Sequence, residues 1–444
     1  MRCTLIALGL LALAPIAHAD DTALTPPELM TKIATLIEDQ FVDEDIAHAS
    51  APKVRALAGS YDDHGSPEAL ADAITRDLRA VTGDSHIGVT YDPAAVSRFR
   101  AREAATHDDA ARERDTANKA RKAAEAAADN FGIRAVSLMP GGVGYLRLDE
   151  FYGQVTESED MFAHVMTLLG PAKAIILDLR HNGGGNSRLL PLFLGYFLGP
   201  DAVTFATRHE RWKGDAAPLV TRTDMAGARH HGKPLYILTS GLTYSLAEHV
   251  TYHLRALAGA TVVGERTFGG GNGWDPVVLD DRFYLRLPRL AFTNAKTGTL
   301  YTEHVGISPD VAATAAAAQD TAYRAALTRL AASPDVETEA CDAAEWALAA
   351  LPPAAGEATT PGDDAVDFGR FGDFALQGTK DSLWLSFRGA PYVRLSRAAD
   401  GAWLDDRSIP RLISLEGRAP HAAITVRPYD GEAVRIPLSG SNER

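Results

Sequence analysis

The sequence predicts a largely parallel α/β core with an antiparallel extension, preceded by a small helical subdomain and followed by a small all-β domain. Three observations carry this. From Ile133 onward, short and continuously apolar strands alternate with helices, the pattern of a parallel sheet covered on both faces. After Trp274 the texture turns antiparallel, with Asp280-Asp281 as the turn between two strands. Beyond a stretch rich in Pro, Gly, Ala and Thr, the chain carries only short strands broken by Gly, Pro and Asp, as in a small barrel or sandwich.

Taken in order, Met1-Arg2, the apolar run from Thr4 to Ile16 and Ala17-His18-Ala19 predict a signal peptide over 1–19, and hence an exported protein, periplasmic or secreted. No later stretch approaches the ~20 apolar residues of a membrane-spanning helix. Residues 20–96 form the helical subdomain. Pro26-Pro27 precede apolar positions Leu29, Ile33, Leu36 and Ile37, and Ser66-Pro67 open a helix over 68–81. Gly83-Asp84-Ser85 is then a turn into a strand over 86–91. Residues 97–132 contain no Val, Ile or Leu and are mostly Ala with charges of both signs, which predicts one solvated connecting helix.

The core spans 133–335, with strands over 143–148, 173–179, 234–238 and 261–263, helices over 157–169, 188–198 and 244–257, and antiparallel strands over 276–279 and 282–287. Residues 336–364 read as a linker, richest in Pro, Gly, Ala and Thr over 351–364. The β domain follows over 365–444, with strands at 384–387, 392–395 and 423–426.

The whole chain of 444 residues has 46% hydrophobic and 23% charged residues, which is globular and excludes a disordered, collagen-like or coiled-coil protein. Its net charge is −14, and loss of Arg2 with the leader makes it −15. Without a clustered basic face, nucleic acid is excluded as a partner. Cys3 leaves with the leader, so Cys341 is the one thiol of the exported chain and no internal disulfide or cysteine-based zinc site is expected. No cofactor is implied.

Two segments concentrate chemistry. Thr239 to Glu248 joins a buried strand to an amphipathic helix and places Ser245 at the helix N-terminus, where free N–H groups and the positive dipole end favour a developing anion. Ser245 and Glu248 also have the spacing of a capping box, a purely structural alternative. Asp178-Leu179-Arg180-His181-Asn182-Gly183-Gly184-Gly185 ends another buried strand on three glycines, whose amides can crowd toward a ligand. No Gly-Lys-Ser/Thr follows, which argues against a phosphate loop. His249 and His253 have the i, i+4 spacing of metal ligands, but Glu248-His249 reverses the H-E-x-x-H order and no third ligand is evident, so no metal is expected.

These segments, with Val263 to Gly271, resemble the carboxy-terminal (tail-specific) processing protease family over about 26–335. The helical start with Gly83-Asp84-Ser85-His86 is most similar to the interphotoreceptor retinoid-binding protein-like and tricorn-type branches. The resemblance implies a crotonase-like core. It also shows a departure: the family's PDZ domain is missing, with 97–131 in its place. In the tail-specific type the base is a lysine in a phenylalanine-glycine-lysine-glycine stretch; that position is Gly270 here, and no lysine lies between Lys233 and Lys296. The tricorn type implies instead Ser245 as nucleophile, a neutral His86 as base, and Ser85 and Glu303 completing the network. Gly183 or Gly184, with Leu246, are the implied oxyanion-hole donors.

The expected function is therefore an exported serine peptidase acting on peptides or unfolded protein tails. The competing expectation is a non-catalytic carrier of hydrophobic, retinoid-like ligands on the same fold. Nothing in the sequence fixes an oligomeric state.

Overall fold

The computed structural model describes residues 23–61, 65–104, 109–153, 155–299, 303, 305–334, 336–350, 365–379, 382–387, 392–397, 402–405, 411–417, 421–428 and 433–439. The predicted leader, 1–19, and the stretch 351–364 lie outside the described residues.

The chain opens with α1 (Pro26–Gln40), α2 (Glu44–Ala56) and α3 (Pro67–Thr82). Local chemistry sets their ends. Asp43 accepts from Ile46 N at 2.9 Å, Ser66 accepts from Ala69 N at 3.2 Å, and α3 stops at Gly83, whose φ of +74° suits glycine. Their apolar faces, including Leu29, Ile33, Ile37, Val54, Ile74 and Leu78, are fully buried together with Ile87, Phe283 and Leu285. This pins the loop leading into β1 (Gly88–Tyr91) against the rest of the molecule.

Where the sequence predicts one connecting helix, the described residues form two, α4 (Pro93–Ala104) and α5 (Asp109–Ala128). The first begins early because Asp92 Oδ1 accepts from Ala95 N at 2.7 Å, a cap hidden behind Pro93.

The central sheet has the order β11-β8-β7-β4-β3-β2. Its strands are β2 (Ile133–Met139), β3 (Val143–Leu148), β4 (Ala174–Asp178), β7 (Leu235–Thr239), β8 (Thr261–Gly264) and β11 (Val311–Ala312). All pair in parallel except β2. Side-chain alternation divides it. Ile175 and Leu177 pack under α6 (Val155–Leu168), α7 (Leu190–Leu198) and α8 (Leu246–Ala258); Ile176 packs on the opposite face with α9 (Ala318–Ala331) and α10 (Thr338–Ala350). Helix α10 corrects the linker predicted over 336–364. It docks because Ala344 and Ala347, small enough for close approach, are buried beside Leu327 and Tyr323.

A second sheet, β1-β10-β5-β6 with β9 also on β10, is antiparallel. It comprises β5 (Thr204–Glu210), β6 (Asp215–Val220), β9 (Gly273–Val278) and β10 (Phe283–Asn294). The sequence places the last strand over 282–287; the observed strand runs on to Asn294, pairing first with β1 and β9 and then with β5. The C-terminal region forms four- and five-stranded antiparallel sheets that share a buried cluster of Phe371, Leu376, Leu385, Ile413 and Ile424.

The parallel pair β4 and β7 is registered Asp178 to Leu238. Their C-terminal ends therefore deliver the glycine-rich loop and the loop to α8 side by side, where open α/β sheets form their sites.

Candidate active site

The loop after β4 is held by two buried polar anchors. Arg180 donates to both oxygens of fully buried Asp178, at 2.9 and 2.6 Å, and Tyr145 OH donates to the same carboxylate at 2.6 Å. Burial alone would raise the Asp178 carboxyl, but Arg180 holds it below the usual range. Asn182, also fully buried, donates from Nδ2 to Leu148 O at 2.8 Å and accepts from Gly184 N at 2.8 Å. Gly184 has φ +104°, and a Cβ there would lie 2.8 Å from Ser245 Cβ. Only glycine lets this backbone pass so close to the serine.

That hydrogen bond corrects one expectation: the Gly184 amide is committed to Asn182 and is not an oxyanion donor. Gly183 is exposed, and its amide and that of Leu246 donate to no acceptor among the described residues. These two remain available for an oxyanion.

Ser245 is the N-cap of α8 with φ 53° and ψ −121°, a strained conformation for a non-glycine residue. The strain is held by Glu248. This carboxylate is fully buried and accepts from Ser245 N (3.0 Å), Gly270 N (2.7 Å), Gly269 N (2.9 Å) and Thr267 Oγ1 (2.5 Å). The capping residue predicted from sequence thus does more than cap: it fastens the second glycine loop to the start of α8.

Ser245 Oγ lies 3.2 Å from His86 Nε2. On the other side of the imidazole, Nδ1 is 3.6 Å from Asp84 Oδ1 and 3.7 Å from Glu303 Oε1. Glu303 is fixed by Gly271 N (2.8 Å), Asn272 N (3.2 Å) and Ser85 Oγ (3.0 Å). Asp84 accepts from His86 N (2.7 Å) and Asn272 Nδ2 (2.9 Å). Ser85, His86, Ser245 and Glu303 therefore converge from three separate parts of the chain. Sequence reasoning assigned no role to Asp84, Asn182 or Asn272 and saw Glu248 only as a cap; the signal for Asp84 was its place two residues before the histidine in Gly83-Asp84-Ser85-His86.

Two carboxylates also change the state of the base. Burial by itself would lower His86, but the two carboxylates facing its Nδ1 outweigh it and raise it to about 9. The expected role of His86 as base operates from its neutral form, which these carboxylates make less populated. Asp84, His86 and Glu303 are also the one cluster among the described residues with metal-ligand spacing. Their carboxylate oxygens already accept the hydrogen bonds just described, an arrangement suited to an imidazolium.

His249 and His253 lie in the core instead. His249 Nε2 contacts Gly271 O at 2.9 Å, His253 Nδ1 contacts Asn294 Nδ2 at 2.9 Å, and burial pushes them down to about 4 and about 3. They are neutral packing residues.

Residues 142–313 match the profile of peptidase family S41. A curated relative, the chloroplastic C-terminal processing peptidase of Tetradesmus obliquus, is 29% identical over 196 residues, covering 40% of this chain and 38% of its own length. Solved structures with similar folds include a lipoprotein from Streptococcus agalactiae (TM-score 0.46, 15% identity, 69% of this chain and 98% of that one). The photosystem II D1 C-terminal processing protease is another (TM-score 0.42, 15% identity, 66% and 95%). The core thus carries a family S41 peptidase domain. Over these residues the chain is similar to the tail-specific processing proteases.

Proposed function

We propose that this chain is a serine peptidase that hydrolyses peptide bonds within peptides or unfolded protein tails. The observation that carries the proposal is the 3.2 Å approach of Ser245 Oγ to His86 Nε2, with two buried carboxylates behind the imidazole. In the neutral ring, His86 Nε2 takes the hydroxyl proton as Oγ attacks the carbonyl carbon. The oxyanion accepts hydrogen bonds from Gly183 N and Leu246 N at the positive end of α8. Imidazolium then returns the proton to the leaving amine, and water attacks the acyl-enzyme by the same route.

Asp84 and Glu303 stabilise the imidazolium formed in both steps, and Ser85 orients Glu303. A carrier of hydrophobic ligands has no use for a strained serine facing a histidine between two carboxylates, so this reading is not favoured. Export through the leader 1–19, a crotonase-like arrangement of the core and a separate C-terminal β domain belong to the same proposal. The test is hydrolysis of an unstructured fluorogenic polypeptide by the chain lacking 1–19, at pH 9. Turnover lost in a folded Ser245→Ala variant supports the proposal, and equal turnover by wild type and variant refutes it.

A further inference from the structure

In a serine-histidine pair the imidazole is ordinarily oriented by a hydrogen bond to its second nitrogen. That bond is missing here. His86 Nδ1 is buried, its nearest carboxylate oxygens stand 3.6 and 3.7 Å away, and it has no hydrogen-bond partner among the described residues. Another contact must set the plane of the ring.

The residue before the serine supplies it. The Tyr244 ring lies against the His86 imidazole with centroids 4.7 Å apart and planes 20° apart. Phe268 meets Tyr244 edge-on at 5.1 Å, and Tyr244 N donates to Asn182 O at 3.1 Å. The phenol is 2.8 Å from Ser85 Oγ; because Ser85 gives its single proton to Glu303, Tyr244 is the donor in that contact.

The surroundings are shaped for this ring. A Cβ at Gly270 would lie 2.0 Å from Tyr244 Cε2 and 2.7 Å from Cδ2. Gly270 N is tied to Glu248 Oε2 at 2.7 Å, so the backbone is held where it is.

We propose that Tyr244 is the positioning residue of the base: its ring fixes the plane of His86 so that Nε2 faces Ser245 and Nδ1 faces the carboxylates, and Gly270 is glycine to admit it. The proposal rests on the serine peptidase reading. It makes the ring of Tyr244 and any side chain at 270 mutually exclusive.

Four variants of the chain lacking 1–19 test it: Tyr244→Ala, Tyr244→Phe, Gly270→Ala and the double Tyr244→Ala/Gly270→Ala. Tyr244→Ala is expected to lower kcat by about 30- to 100-fold with KM within about threefold, the size of effect that misplacing a catalytic group produces. Tyr244→Phe keeps the ring and stays within about threefold of wild type. Gly270→Ala, which displaces the ring, matches Tyr244→Ala, and the double variant is no worse than either single one.

A readout free of activity is the ring-current shift on the His86 imidazole protons, followed by NMR in selectively labelled protein. It is present in wild type and Tyr244→Phe and lost in Tyr244→Ala and Gly270→Ala. Wild-type kcat in Tyr244→Ala or in Gly270→Ala overturns the proposal, as does a Tyr244→Phe defect as large as that of alanine. If Tyr244→Ala does not fold, Gly270→Ala alone decides. The ring-current shift in an inactive wild type would mark failure of the peptidase reading and not of the stacking; its absence in wild type would overturn the stacking itself.

Discussion

Replacing Asp84 by asparagine isolates one of the two charges behind His86. Raising a histidine from 6.5 to about 9 favours imidazolium by about 3 kcal/mol. Burial works against that rise, so the two carboxylates supply more than the whole of it. They stand at nearly equal distances, 3.6 and 3.7 Å. Losing one should therefore lower the midpoint by more than about one pH unit, to below about 8.

At pH 7 a midpoint near 9 leaves about one site in a hundred with a neutral imidazole able to accept the Ser245 proton. The assay is kcat/KM between pH 6 and 10. Wild type should gain about tenfold per pH unit from pH 7 and level off above 9. Asp84→Asn should shift this limb downward and reach a lower plateau, because the imidazolium formed during attack has lost a partner. A wild-type midpoint near 6.5, or an unmoved midpoint in Asp84→Asn, would show that the carboxylates do not set the charge of His86. Stability follows the same linkage: the ion pairs contribute fully below the unfolded value of 6.5 and are lost as pH rises toward 9.

The other predictions concern the scaffold. Glu248→Gln places an amide against four donors, and chemical denaturation should show a loss of about 2–4 kcal/mol. Gly184→Ala puts a Cβ 2.8 Å from Ser245 Cβ at φ +104°, and turnover should fall at least about 100-fold; a fully active variant would show that the loop has room to spare. His253 sits neutral in the core at about 3, so its stabilisation is present above 6.5 and drains as pH falls, by about 1.4 kcal/mol per pH unit. The acid slope of unfolding free energy should be shallower by that amount in His253→Phe; an unchanged slope would place its proton elsewhere.

The parallel core was legible because its strands are continuously apolar and its helices periodic, so β3, β4, β7, β8 and the helices between them fall near their predicted places. Strands β5 and β6 were not, since Thr204–Glu210 is largely polar and Asp215–Val220 mostly exposed, and they are ordered by pairing β6 to β5 and β5 to a long β10. Helix α10 hid in an alanine-rich run that looks like a linker until Ala344 and Ala347 find a partner surface.

At the site, Ser245 and the glycine loops announced themselves by composition at strand ends. Asp84 did not, because an aspartate in a Gly-Asp-Ser turn usually serves the turn, and only folding brings Glu303 to the same nitrogen.

An activated serine is tested most directly by labelling the chain lacking 1–19 with a fluorophosphonate probe at pH 9 and locating the modified residue by mass spectrometry. A single adduct is expected on Ser245, absent from folded Ser245→Ala and His86→Ala variants. Folded wild-type protein that takes up no label, or label that persists in His86→Ala at the wild-type rate, would contradict an activated serine at this site.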